Sequence, residues 1–218
     1  SVIGRGYGEV RLIEHLLAAL AAAGITDATI GVSGVEVPLV DGSAKVWAEL
    51  VASAGVEALD GEVEPLAVRR PVVVMNQERR QTLAAFPYPR WRLVYILDWS
   101  HPLVGLQVAR FEVGRDDFTA ELGPARTFAL AAEAQAAREH GLYAAGSEEN
   151  LVVVYDDRLS AALFAPNAFA RHKTTDLLGD LYLLGRPMAG LVVAYNSGHA
   201  LNHRLVATLS AHAREEEK

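Results

Sequence analysis

The chain has 218 residues, 51% hydrophobic and 22% charged, which is enough for one large domain or two small ones with a sizeable core. A net charge of −7, with no long run of Lys or Arg, excludes the concentrated basic face that nucleic acid requires. The absence of cysteine excludes disulfides and thiolate ligands, so a metal site would have to be built from histidine and carboxylate. Charge or glycine interrupts every apolar stretch before a bilayer's width, and no signal pattern opens the chain. Neither an integral membrane segment nor secretion is therefore expected.

In chain order, "IEHLLAALAAAG" is strongly helical in propensity and stops at Gly24. "DATIGVSGVEVPLV" alternates and is rich in β-branched residues, which predicts a strand. "DGSA" is a turn leading into the helical "KVWAELVASAGV". The acidic, turn-rich "EALDGEVEPLA" marks a domain boundary near Pro65. Strands are then expected in "RPVVVMNQERRQTLAAF" and "WRLVYILDW", followed by a short helix in "DDFTAELG" that "GP" breaks ahead of "ARTF". A helix at "AAEAQAAREHG" and a strand at "NLVVVYD" form a compact α/β insertion near 131–160. A helix over 171–185, a strand at "MAGLVVAYN" and a last helix from "SGHALNH", with Ser197 as N-cap, complete the chain. Strands followed by helices, twice over, predict two α+β layers rather than a doubly wound sheet, and no GxGxxG or P-loop supports a nucleotide-cofactor fold.

The helix at 171–185 carries His172, Asp176 and Asp180 every four residues, which stacks the three side chains on one face. A catalytic zinc site commonly has two histidines and a carboxylate with one position left open, and His15, His172 and Asp176 supply that set. Glu14, beside His15, would serve as general base toward the activated water. His199, at the head of the last helix, would act as proton donor or electrostatic partner for the developing oxyanion, oriented by Asp180. Plainer readings exist: a local His/Asp pair, a chance Glu-His dipeptide and a capping histidine. His101 in "SHP" reads as a turn residue, and His140, His203 and His212 read as surface or helix-flank residues.

The segments "IEHLLAAL", "VEVPLVDGSA", "ARTF", "RHKTTDLLGDLYLLG" and "AYNSGHALNH", in this order from about residue 10 to 205, closely resemble the zinc-dependent UDP-3-O-acyl-N-acetylglucosamine deacetylases, which carry out the committed step of lipid A synthesis. The resemblance implies an α+β fold of two domains with the active site between them. Each domain would be a two-layer sandwich of a β-sheet and two helices (ribosomal protein S5 domain 2-like), here at 1–64 and 65–218. It implies Zn2+ on His15, His172 and Asp176, Glu14 as base, and His199 with Asp180 as the catalytic pair. By the same resemblance Thr127 steadies the oxyanion, Phe128 lines the sugar pocket, Lys173 lies in the substrate site, and the insertion walls an acyl-chain tunnel. The implied enzyme is cytoplasmic and monomeric, and its partner is the acylated UDP-sugar.

Two departures from the family pattern carry their own expectations. The family's first domain has strands and a "GLHSG"-type segment ahead of the "EHL" helix, so the first domain is expected to be N-terminally short here, leaving apolar surface to be covered. Asn196 stands where the family usually has a lysine that meets the nucleotide phosphates. The alternative expectation is a diverged member that binds zinc but is inactive or acts on another N-acetyl sugar.

Overall fold

The computed structural model describes residues 1–4, 8–139 and 147–216. Strands β1 (Val2–Ile3) and β2 (Val10–Arg11) form a short antiparallel pair ahead of α1 (Glu14–Ala22). The alanine- and leucine-rich α1 stops where expected, with Gly24 at a left-handed φ of +69°. The strand expected in "DATIGVSGVEVPLV" does not form. Only Glu36 makes a bridge, to Arg11, while Ile30, Val35 and Val40 stay exposed. An alternating pattern makes a strand only where a neighbouring backbone accepts its ladder, and here β2 offers two residues. After the "DGSA" turn comes α2 (Lys45–Ala54).

The rest of the chain builds the main sheet from β3 (Leu66–Ala67), β4 (Val72–Asn76), β5 (Gln81–Phe86), β6 (Trp91–Trp99) and β7 (Gly105–Glu112). The last of these was not anticipated. There follow α3 (Phe118–Glu121), capped by Asp117, then β8 (Phe128–Leu130), α4 (Ala131–Glu139) and β9 (Val152–Val154). Parallel pairing of β8 with β9 across α4 makes the expected insertion a small α/β unit, beginning three residues earlier than predicted. The end of its predicted helix and His140 lie outside the described residues. Helix α5 (Ala168–Tyr182), strand β10 (Met188–Tyr195) and helix α6 (His199–Glu216) finish the fold.

Strand β10 is the keystone of the sheet, whose order is β4-β5-β10-β6-β7. It runs parallel to β6 and antiparallel to β5, and its first two residues also pair with β3. Alternation then decides the faces. Leu93, Tyr95, Leu97, Val192 and Ala194 point into the core beneath α5 and α6, while Val73, Met75 and Leu106 face outward. Helix α1 packs on α5, and α2 on α1. Among the described residues no helix is long and apolar enough to cross a membrane.

The contact between α1 and α5 is unusually close at one point. A β-carbon placed on Gly179 would lie 1.9 Å from the carbonyl oxygen of Glu14. Gly179→Ala is therefore expected to push the first turn of α1 off α5. Overpacking of about 2 kcal/mol or more corresponds to a Tm lower by at least ~4 °C in calorimetry. Gly31→Ala, where the added carbon meets nothing within 4 Å, is the control that should leave Tm unchanged.

Candidate active site

Three helix segments deliver the polar residues. The first turn of α1 supplies Glu14 and His15, one face of α5 supplies His172, Asp176 and Asp180, and the start of α6 supplies His199. The predicted four-residue stripe is buried along its whole length, because that face of α5 is the one α1 and α6 pack against. The route into α1 is a sharp turn in which Leu12 takes a left-handed φ of +59°, a conformation costing about 1 kcal/mol for a residue with a β-carbon. Burial of so many polar groups is tolerated because each carboxylate is surrounded by donors.

Asp176 sits at the centre. Its Oδ1 is 3.4 Å from His15 Nε2, and its Oδ2 is 3.4 Å from His172 Nε2 and 2.6 Å from the Lys173 ammonium. Burial works to raise the Asp176 carboxyl, but His172, Lys173 and His15 outweigh it and hold the group well below the usual carboxylate range. Burial likewise opposes the charge on Lys173, and Asp176 more than compensates, raising its pKa. His172 behaves differently: burial dominates and lowers it to about 3, so its ring is a neutral imidazole. One atom each from His15, His172 and Asp176 lies within 4.8 Å of the others, and a second, overlapping set joins Glu14, Asp176 and His199 under the same limit. Two neutral-capable imidazoles and an ionised carboxylate, all buried, are the donor set that a borderline divalent cation accepts.

Asp180, one turn further along α5, is fully buried and organises the other half of the cluster. It accepts hydrogen bonds from Asn202 Nδ2 at 2.8 Å and Ser1 Oγ, and it pairs with His199 Nδ1 at 2.7 Å and His203 Nε2 at 3.2 Å. Burial would raise its carboxyl, yet the bonds from His199 and His203 hold it low. For His199, burial lowers the pKa but the bond to Asp180 and the charge of Asp176 raise it above the ordinary histidine value. Asp180 thus occupies Nδ1 of His199 and leaves Nε2 aimed at Glu14, 3.6 Å from Oε1.

The remaining predicted residues are placed less directly. Phe128 packs edge-on against the His172 ring at 5.4 Å and tilted against Phe169 at 4.6 Å, which makes it a wall of the cluster. The Thr127 hydroxyl donates to the Gly42 carbonyl at 3.0 Å, so in this arrangement its proton is engaged away from the cluster. Lys173 is tied to Asp176 rather than free. Asn196 adopts a left-handed φ of +49°, which asparagine tolerates well, and its amide brackets the backbone of Asp98 at 2.7 and 2.9 Å. Ser197 does not cap α6 as predicted. Its hydroxyl has no partner among the described residues, its carbonyl accepts from the Tyr95 hydroxyl, and the Gly198 carbonyl receives the first helical N–H groups. His203, read from sequence as a flank residue, instead shares Asp180 with His199. Asn202 was missed as well. The i, i+3, i+4 spacing of His199, Asn202 and His203 in "HALNH" was the available signal, since it puts all three on one helical face.

Sheet, helices and cluster together define an α+β protein with a buried His/His/Asp centre flanked by a glutamate and a carboxylate-oriented histidine. The family described as UDP-3-O-acyl N-acetylglycosamine deacetylase (LpxC) matches residues 1–211. The UDP-3-O-acyl-N-acetylglucosamine deacetylase of Myxococcus xanthus (strain DK1622) is 38% identical over 210 residues, covering 94% of this chain and 66% of its own length. That of Geobacter sp. (strain M21) is 37% identical over 211 residues, 96% of this chain and 68% of its own. That of Acidithiobacillus ferrooxidans (strain ATCC 53993 / BNL-5-31) is 35% identical over 211 residues, 95% and 69% respectively. The chain belongs to the UDP-3-O-acyl-N-acetylglucosamine deacetylase family, and it spans about two thirds of the length of these relatives.

Proposed function

We propose that this chain hydrolyses the acetamide of UDP-3-O-(3-hydroxyacyl)-N-acetylglucosamine, releasing acetate and the free 2-amine, as the committed step of lipid A synthesis in the cytoplasm. The observation that carries the reading is the convergence of His15, His172 and Asp176 from two helices, with Glu14 and His199 facing each other 3.6 Å apart beside them. His15, His172 and Asp176 would hold the cation, with zinc favoured by the donor set and the family. When bound, such an ion acts as a Lewis acid that polarises the reacting carbonyl and its water.

The chain's own groups do the rest. Glu14, placed in the first turn of α1, takes a proton from the attacking water. His199 holds its proton toward the reacting centre on Nε2 and gives it to the departing amine, while Asp180 fixes the ring through Nδ1. Asn202 and His203 keep Asp180 oriented. Thr127 enters only if its hydroxyl turns away from Gly42, and Phe128 shapes the sugar side of the pocket.

We also propose the two-domain division at 1–64 and 65–218, with the site between the parts and the chain acting as a monomer. In its favour, Glu14 and His15 come from before residue 65 and every other cluster residue after it, except Ser1. A second reading, that of a relative acting on another N-acetyl sugar, draws on Asn196, whose amide is spent on Asp98 and offers no charge to a phosphate.

The test is acetate release from the UDP-linked substrate by the purified chain. Prolonged chelation should abolish it, and a stoichiometric addition of zinc should restore it. No acetate from the metal-loaded chain would refute the reading; acetate from other N-acetyl sugars alone would favour the second one.

A further inference from the structure

Two apolar surfaces stand uncovered among the described residues, and their charges differ. One is the groove of about 910 Å³ beside α1 and α2, where Leu50 and Val56 lie next to Asp27 and Glu57 and the acidic "EALDGEVEP" segment follows. The other is the outer face of the main sheet, opposite the side that α5 and α6 cover.

Strand register makes the outer face continuous. One row across five strands reads Met75, Thr82, Tyr195, Ile96, Val108, and the next reads Val73, Ala84, Val193, Val94, Arg110. Alternation points all of these side chains away from the core. Leu106, further along β7, is 68% exposed, and Val73 and Met75 are about half exposed. The solvated face of an antiparallel sheet is ordinarily polar, so an aliphatic surface five strands wide marks a place where something docks.

Arginine supplies the charge on this face. Arg110 is exposed at the end of the second row and meets no carboxylate among the described residues. Arg80, on the β4–β5 turn, is close enough to the Tyr195 hydroxyl for its charge to act there, and Arg92 projects from β6 toward the Tyr88 hydroxyl at 3.3 Å. The acids on the same side are largely engaged. Glu112 is buried and paired with Arg90 at 2.6 Å, Asp98 accepts from Tyr195 at 2.7 Å, and Glu78 stands on the β4–β5 turn. In a chain of net charge −7 this is a local concentration of cations, interleaved with aliphatic side chains on a flat surface. Guanidinium groups meet lipid phosphates while aliphatic side chains enter the headgroup layer, which is the chemistry of an anionic bilayer surface. A second copy fits less well, because packing face to face would set Arg80 and Arg110 of one copy against those of the other. The acids of the α1–α2 groove would be repelled by the same lipid.

We propose that the outer face of the main sheet docks on anionic phospholipid, with Arg80 and Arg110 meeting the phosphates and Met75, Leu106 and Val108 entering the headgroup layer. The cluster carried by α1 and α5 lies on the opposite side of the sheet, so docking leaves it clear of the lipid.

The full chain is sedimented with vesicles of phosphatidylcholine alone and of phosphatidylcholine mixed with phosphatidylglycerol. Binding is expected to the mixed vesicles only, and it should fall as salt is raised. Arg80→Glu combined with Arg110→Glu should weaken it by about tenfold or more, and Leu106→Asp combined with Val108→Asp should weaken it comparably. Ile30→Asp, on the α1–α2 side, is the control that should bind as the parent does. All five positions are exposed, and a circular dichroism spectrum checks that each variant is folded. The proposal is overturned if the parent ignores the mixed vesicles, or if both double variants bind them as well as it does. A dimer in lipid-free solution that Leu106→Asp with Val108→Asp dissolves would also overturn it, giving the face to a second copy. Vesicle binding is scored without substrate, so neither result bears on the deacetylase reading.

Discussion

Glu14→Ala is expected to lower acetate release by roughly 10²- to 10⁴-fold, the usual worth of a positioned proton-transfer group, while the protein retains its metal. The pairing of these two readouts matters because two candidate donor sets overlap at Asp176. One is His15, His172 and Asp176, and the other is Glu14, Asp176 and His199. If Glu14 were a ligand, its removal would deplete the metal along with the activity. If it is the base, elemental analysis finds the metal unchanged and only turnover disappears. Glu14 also accepts from the N-terminal ammonium at 2.7 Å, so a circular dichroism spectrum of each variant checks that loss of this pair has not cost the fold. Glu14→Gln, which keeps the shape and removes the basic oxygen, should be as damaged as Glu14→Ala. Turnover near that of the parent chain in either variant would end the assignment.

How far the sequence alone reached depends on whether the deciding interaction is local. The stripe of His172, Asp176 and Asp180 was legible because helical spacing is a property of a dozen neighbouring residues. Its meeting with His15 was not legible in spacing, since no pattern states that α1 crosses α5 at Gly179; the donor set a catalytic zinc needs suggested that pairing, and the family motifs supported it. Strand β7 was hidden by its own residues. Gln107 points inward, where its amide donates to the Val104 carbonyl and accepts from the Ala170 N–H at the start of α5, while Leu106 and Val108 point out. That inverts the alternation a strand is recognised by. The failed strand at "DATIGVSGVEVPLV" is the opposite case, with the right pattern and only Arg11 to pair with. Asn196 shows a third limit. Its role is set by a left-handed turn and by Asp98, nearly a hundred residues away in the chain, so composition at the position suggested a lost charge where the structure uses a bracket.

His172→Ala should fail at an earlier step than Glu14→Ala: the metal itself should be lost, and activity with it. The ring is buried, and burial drives its pKa down to about 3, so at neutral pH it is a neutral imidazole with Nε2 3.4 Å from Asp176 Oδ2. A neutral imidazole beside an ionised carboxylate is the form in which both groups can ligate without first releasing a proton. The neighbours leave it little freedom to do anything else. Phe128 at 5.4 Å and His15 at 5.1 Å hold the ring edge-on, and its Nδ1 has no partner among the described residues that would compete for its orientation. Removing a buried ring also leaves a cavity, which costs about 2–4 kcal/mol on its own account. His172→Gln, which keeps most of the volume and an amide in place of the ring, separates the two effects: its Tm should stay closer to that of the parent, and its metal should be lost all the same. If His172→Gln kept both metal and activity, the ion would belong to the set formed by Glu14, Asp176 and His199, and Glu14 would have to be reassigned from base to ligand.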